Sequence, residues 1–511
     1  MTSTSRTEIP SLAGAREWTA LAVVTLAVVL LAIDGTVLAL AVPSLTAALD
    51  PTATQILWIG DIYSFALAGL LVTMGNVADR FGRKRLLLIG AAGFGIASVI
   101  AAFAPTPELL IAARVLLGVS GATLMPSTLS IIRNLFSDSR QRTRAIAVWS
   151  AGATGGAAVG PLVGGALLEH FWWGSVFLIN VPVVVVLLIA GGLVIPESKN
   201  PARPRIDLFS AALSMLAIVP VVYAIKTVAS DGVTVAAVVA LVVGVASGVF
   251  FVRRQRRLAE PLIDIRLFSN PAFSGAVVAN TMAIFAFIGM LFFFSQYLQL
   301  VRGLSPLQAG LTELPATIAS LLVIAIVGML VSRLGRGPTI AAGLAVAALG
   351  MGLLAVGEAM PGLVWLIAAL VVIGFGSGVA MTVSTDAVMS AVPPQRAGAA
   401  SAISETGYEL GVALGIAVLG SIQTATYRAG LNLPSDFDAD ASARVSESLA
   451  SADRFLAGGG AAAEAVLAQA QEAFTSGMQI AAIIAAVLTA IAAVVAWRVI
   501  PAGRDRVAVD H

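Results

Sequence analysis

The sequence predicts an all-α integral membrane protein with fourteen transmembrane helices, arranged as two six-helix bundles plus two inserted helices. Three observations predict it. Of 511 residues, 58% are hydrophobic and only 11% charged, a balance far outside that of soluble domains. The stretch Gly75-Asn-Val-Ala-Asp-Arg-Phe-Gly-Arg-Lys-Arg85 sets five charges in eleven residues between two long apolar runs, and a short basic loop of that kind belongs on the cytoplasmic side. The pattern returns 253 positions later as Gly328-Met-Leu-Val-Ser-Arg-Leu-Gly-Arg-Gly-Pro338, with Arg333, Gly335 and Arg336 in the places of Arg80, Gly82 and Arg83. The chain therefore carries an internal duplication.

A transmembrane helix needs roughly 20 apolar residues. Apolar runs separated by polar or Gly/Pro breaks place helix cores at 18–42, 55–76, 86–104, 107–131, 145–168, 173–194, 208–228, 233–252, 273–298, 306–330, 339–357, 363–385, 398–422 and 476–498. The polar start, Met1 to Glu17, leads into an apolar run too long for a signal-peptide core, so it reads as a retained first span. An even number of spans returns the C-terminus to the side of the N-terminus. Of the 30 Lys and Arg, 24 then fall in cytoplasmic segments, five outside (Lys226, Arg302, Arg428, Arg444, Arg454) and one, Arg114, within a helix. Both termini are expected in the cytoplasm.

The repeated loop follows span 2 in one copy and span 10 in the other, which divides the chain into residues 1–196, an inserted pair at 197–260, and 261–511. The inserted pair carries no matched motif. It ends in Arg253, Arg254, Arg256 and Arg257, a topology anchor near anionic lipid, and Glu260 to Phe273 reads as an interfacial helix. The one long extramembrane segment, 424–475, falls outside. It holds seven acids, Asp436 and Asp438 among them, against three arginines, and Gly458-Gly-Gly460 divides two Ala-rich halves; a short helical hairpin is expected there.

Ionisable groups inside a bilayer cost about 3 kcal/mol each on insertion scales, so each is a functional candidate. The set is Asp34, Asp61, Arg114, Glu313, Glu405 and Glu409, with Asp386 near a cytoplasmic helix end. Counted from the outer ends of their spans at about 1.5 Å per residue, Asp34, Asp61, Arg114 and Glu313 share one depth, roughly 10 Å below the surface. Arg114 can compensate one acid of that layer, which leaves the others without a cationic partner. Such an acid must hold a proton or a cation. Asp34 is read as the proton carrier, coupled to Arg114, and Asp61, Glu313, Glu405 and Glu409 as a dispersed cation site. Trp58 and Tyr408 can offer ring faces to a flat cation, where the alternative for each is packing.

In span 5, Gly152, Gly156, Gly160 and Gly164 recur every four residues around Pro161, and span 13 echoes them with Gly407, Gly411 and Gly415. Such positions share one helix face, a bare stripe that lets another helix approach closely. It serves either simple packing or a surface along which matching helices of the two halves rock.

These residues carry a family resemblance. The Gly75 to Arg85 loop resembles the G-x-x-x-D-R-x-G-R-R/K signature of the major facilitator superfamily. Gly156 to Gly165 is similar to the antiporter signature in span 5 of its drug exporters, and Arg114 with Gly118 to the span 4 arginine signature. Leu31-Ala-Ile-Asp-Gly-Thr36 with Pro43 resembles the span 1 signature of the fourteen-span drug:proton antiporters, the branch of the quaternary-ammonium pumps. Leu300 to Gly310 and Ala402 to Glu409 resemble that branch too. The likeness runs from span 1 to span 14; it departs at Ser120, where the family often has Gln. It implies a major facilitator fold and a monomeric transporter in a bacterial-type cell membrane, driven by the proton gradient without a cofactor. It also implies gating by the loop residues Gly75, Asp79, Arg80, Gly82 and Arg83, which would latch the cytoplasmic side closed, and by Gly156, Gly160, Pro161 and Gly164.

Proton-coupled efflux of lipophilic mono- and divalent cations is therefore the leading expectation. Its partners are cationic small molecules, protons and the lipid bilayer, with no nucleic acid. Uptake of a polar or anionic nutrient or metabolite would want a basic cavity, and the spans offer one Arg against at least five acids. An integral membrane enzyme is disfavoured: the chain has two histidines, His170 and His511, no cysteine for disulfides or thiolate metal sites, and no nucleotide-binding or nucleophile constellation.

Overall fold

The computed structural model describes residues 13–136, 138–199, 207–259, 261–392, 397–433 and 439–501. Asp436, Asp438, Glu260, His511 and both chain ends, and with them the expectation for the termini, lie outside the described residues. The described residues form α1 (Ala15–Leu49), α2 (Ala53–Phe81), α3 (Arg83–Ala102), α4 (Pro107–Leu135), α5 (Ser139–His170), α6 (Ser175–Leu178), α7 (Asn180–Val194), α8 (Leu208–Asp231) and α9 (Val235–Arg257). After a 3-10 turn (Ile265–Ser269) come α10 (Pro271–Leu300), α11 (Pro306–Leu334), α12 (Arg336–Glu358), α13 (Val364–Ser390), α14 (Ala397–Gly430), α15 (Ala439–Glu447), α16 (Leu449–Leu456) and α17 (Gly460–Val499). Fourteen helical stretches are long and apolar enough to cross a membrane. The sixth is divided at Ile179 into α6 and α7.

The duplication reaches into the backbone. Thr52 caps α2 by accepting from the Gln55 amide while Gln55 accepts from Thr52, and 253 residues on Ser305 and Gln308 do the same for α11. Gly82 and Gly335 stand between paired helices at φ 124° and 89°, conformations that a Cβ disfavours, and their amides close on Ala78 and Val331. Packing repeats likewise: α2 on α4 as α11 on α13, α3 on α4 as α12 on α13, and α1 on α5 as α10 on α14. α7 meets α1 and α3 as α17 meets α10 and α12. Between the two groups, α2 meets α14 and α5 meets α11.

We call the end that carries Gly82 and Gly335 the basic face and the opposite end the far face. The two groups touch toward the far face. Gln299 Nε2 donates to the Leu40 carbonyl at 3.1 Å, Ser305 Oγ lies 3.2 Å from Glu169, and Gly310 packs on the Pro161 carbonyl. α8 lies across the α2–α14 seam, while α9 packs on α8 and is exposed on most of its surface.

Three expectations change. The glycine stripes do not join matching helices of the two halves: Gly152, Gly156, Gly160 and Gly164 face Thr25, Val29, Thr36 and Val37 of α1, and Gly407, Gly411 and Gly415 face α10. Periodicity marks a face, not its partner, and each stripe closes its own bundle. In place of an interfacial helix after the arginine cluster stands a short 3-10 turn, Ile265–Ser269, anchored by buried Leu267, and α10 already begins at Pro271. The long segment folds as the short helices α15 and α16 ahead of the Gly458–Gly460 break, and its second Ala-rich half is the start of α17, which packs on α16 and runs 40 residues without a break.

The stripe yields a paired test. A Cβ at Gly156 would stand 2.9 Å from the Val29 carbonyl oxygen, while one at Gly155 would meet no atom within 4 Å. Gly156→Ala is expected to cost about 1–3 kcal/mol through overpacking, and Gly155→Ala to gain up to about 1 kcal/mol of helix propensity. Thermal unfolding in detergent should separate the two; equal loss in both would mean that the stripe does not set the α1–α5 distance.

Candidate functional site

A narrow cavity lies between the two groups of helices, bounded by α1, α2, α4, α10, α11 and α14. Its walls are mostly apolar, with the rings of Tyr63 and Phe292, the hydroxyl of Ser64 and two charged groups, Arg114 and Glu313. An apolar lining with a few converging polar groups is the kind that receives a small organic molecule.

Arg114 comes from α4 and is 2% exposed. Its Nη1 donates to Asp34 Oδ2 at 3.2 Å, its Nε donates to the Ile59 carbonyl at 3.1 Å, and its guanidinium carbon stands 4.7 Å from the Tyr63 ring centre. Asn180, the first residue of α7, donates to Asp34 Oδ1 at 2.8 Å and to Ser98 Oγ at 3.1 Å. Groups from α4 and α7 thus meet one carboxylate of α1, and they are held in turn by α2 and α3. The expected Asp34–Arg114 coupling is a direct bond.

The other acids separate. Glu313 lines the cavity with Arg114, and its Oε1 is buried without a hydrogen-bond partner among the described residues. Glu409 is buried against Ser64 of α2, and Glu405 is half-buried one turn earlier. Tyr408 is half-buried against the core around α10.

Asp61 departs from expectation. It does not line the cavity but points into the α2–α8 seam, where Lys226 Nζ lies 2.9 Å from Oδ1 and 2.7 Å from Oδ2. Lys226 was expected outside the membrane and is instead fully buried, 3.6 Å above the centre of the Trp58 ring. Asp61 therefore has a cationic partner, and the Trp58 ring face expected for a substrate is covered by the protein's own ammonium. Arg114 is not the lone buried cation.

The family model described as Major Facilitator Superfamily matches residues 24–416. The chain belongs to the Major Facilitator Superfamily. The multidrug efflux pump LfrA of Mycolicibacterium smegmatis is 47% identical over 481 residues, 94% of this chain and 95% of that relative. The methyl viologen resistance protein SmvA of Salmonella typhimurium is 39% identical over 440 residues, 86% and 88% of the two chains. A bacterial homologue of the human lysosomal transporter Spinster, solved inward-facing, shares the fold at a TM-score of 0.65 and 18% identity over 95% and 98% of the two chains. The protein is a multi-pass membrane transporter related to drug efflux pumps, not an enzyme.

The superfamily loop is held inside its own bundle. Arg83 Nη2 lies 2.8 Å from Asp79, and Glu197, beyond α7, accepts from the amides of Lys84 and Arg85 at 3.2 Å each, capping α3 where its free N–H groups point. In the second copy Arg336 reaches Asp386 of α13 at 2.9 Å. Gly75 sits on α2 near Pro126 of α4, and Arg80 lies over the Phe81 ring.

Three residues escaped the sequence reading. Asn180 had a signal, a lone amide amid the apolar run of span 6. Lys226 had a weak one, a lysine two residues inside the end of span 7 as drawn. Glu358, a buried acid that ends α12 near Arg302, fell one residue beyond the drawn span.

Removing one partner of a buried ion pair costs about 3–5 kcal/mol, whereas losing one buried hydrogen bond costs about 1–3 kcal/mol. Arg114→Leu should therefore lower the unfolding midpoint in detergent well beyond Asn180→Ala. Equal effects would mean that the amide, rather than the guanidinium, holds Asp34.

Proposed function

We propose that this transporter is a proton-coupled efflux antiporter, acting as a monomer, that exports lipophilic mono- and divalent cations across a bacterial-type cell membrane, with its basic face and both termini in the cytoplasm. One observation carries the reading: the cavity joins apolar and aromatic walls to the carboxylate of Glu313, which has no cationic partner among the described residues, beside the Arg114–Asp34 pair. A flat cation finds there a ring face, apolar contact and a counter-charge. The relatives' efflux and methyl viologen resistance agree with it.

Asp34 is the proton carrier in this scheme. A proton on its carboxyl weakens the bond to Arg114, and the freed guanidinium then raises the positive potential beside the cavity, which disfavours a bound cation. Proton and drug thus exclude each other through one pair. Glu313 and Glu409, from different helices, give the drug its counter-charge, with Glu405 extending the acidic surface. The gradient supplies about 1.4 kcal/mol per proton per pH unit and about 2.3 kcal/mol per charge per 100 mV. Two protons entering for each monovalent cation leaving use both terms.

In inverted vesicles with an imposed pH gradient, the protein should accumulate ethidium. Asp34→Asn should abolish the gradient dependence while ethidium binding stays measurable, and Glu313→Gln should lose divalent substrates before monovalent ones. Gradient-driven transport undiminished in Asp34→Asn would refute the carrier.

Orientation is checked separately. Ala461→Cys, at an exposed position beyond the far face, should react with an impermeant thiol reagent on intact cells. Labelling only after permeabilisation would reverse the topology.

A further inference from the structure

The Lys226–Asp61–Trp58 cluster has no part in the exchange scheme, yet it is built as a cation site. A carboxylate grips an ammonium with both oxygens, at 2.9 and 2.7 Å, under an indole 3.6 Å away, with both charged side chains fully buried. These are the groups that would hold a quaternary ammonium or an aromatic cation. The protein fills the place with its own lysine, and that lysine comes from α8.

The location matters as much as the chemistry. Gly60, Tyr63 and Ser64 of α2 line the cavity, while Asp61, between them in sequence, leaves the flank of the same helix toward α8. The pair and the cavity share α2, whose diameter sets their separation on the order of 10 Å. At that distance, in a poorly screened interior, a unit charge is felt. Paired, Lys226 and Asp61 cancel.

We propose that Lys226 is a specificity-determining residue: by neutralising Asp61 it withdraws one acid from the field of the cavity and so sets how strongly the transporter favours divalent over monovalent cations. The proposal rests on the cation-export reading above. It makes a demand that a structural ion pair does not, since the free energy of a cation in a changed potential scales with its charge. Lys226→Gln removes the ammonium and, at an assay pH alkaline enough that Asp61 takes up no proton in its place, should lower the KM of a monocation about tenfold and that of a dication about a hundredfold. Asp61→Asn leaves the Lys226 charge and should raise both in the same proportion. The double variant Asp61→Asn/Lys226→Gln and the single variant Lys226→Arg should each return the ratio of the two KM values to that of the parent.

The test uses inverted vesicles of the full chain and its four variants, with ethidium as the monocation and methyl viologen as the dication. Opposite shifts of the two single variants, twice as large on a logarithmic scale for methyl viologen, support the assignment. An unchanged ratio in both, or shifts in the same direction, overturns it. Loss of both single variants from the membrane while the double variant is retained also overturns it, because the pair would then serve folding. A parent that transports neither cation would instead defeat the export reading, so the two failures are distinguishable.

Discussion

A charge placed in a hydrocarbon interior must find a partner, and that requirement arranges the middle of this protein. Unpaired, each would cost about 3 kcal/mol on insertion scales, so a few would rival the 5–15 kcal/mol, roughly, that holds an ordinary domain folded. The pairings run between helices rather than along them. Asp34 joins α1 to α4 and α7 through Arg114 and Asn180, and Asp61 joins α2 to α8 through Lys226. Near the far face, Arg302 donates to the Tyr297 hydroxyl, which in turn donates to the Glu358 carbonyl. Glu313 has no such cationic partner among the described residues, and it lines the cavity.

The two halves are copies, but they are not treated alike. Each seam between them takes one helix from each half, α2 with α14 and α5 with α11. The inserted α8 covers only the first. It is fastened to one half by Lys226 on Asp61 and to the other by Arg428, which donates to the Ser230 carbonyl at 2.9 Å. Val222 of α8 packs with Phe65 of α2 and with Ala413 and Ala417 of α14. A twelve-helix duplication would leave both seams equivalent; the insertion makes one of them a three-helix joint.

What the sequence made legible follows from the physics that each signal carries. Hydropathy located all fourteen spans because a bilayer demands long apolar runs, and Gly82 with Gly335 betrayed the duplication because a positive-φ turn between helices tolerates little else. The depth of Asp34 and Arg114 foretold their contact, since groups at one depth on adjacent spans have few other partners. Direction around a helix was harder. Depth alone put Asp61 with Glu313, whereas Asp61 faces α8 and its partner is 165 residues away on a helix without any matched motif. The glycine stripes were seen but not their facing helix, and the break at Ile179 is marked only by Asn180 and Pro182 in a run that hydropathy reads as continuous.

At about 1.5 Å per residue the 40 residues of α17 make a rod about 60 Å long, twice the thickness of a hydrocarbon core of about 30 Å. Its first 15 or so residues run on beyond the span with one side still packed: Val466, Ala470 and Phe474 are buried, Gln471 Nε2 donates to the Leu300 carbonyl, and α16 lies against the rod while also touching α1 and α10. A long rod turns angle into travel: tilting it by ten degrees about the membrane midplane would sweep its tip through about 7 Å. The two short helices beyond the far face ride on the last span, and a small rotation within the bilayer would be written large outside it.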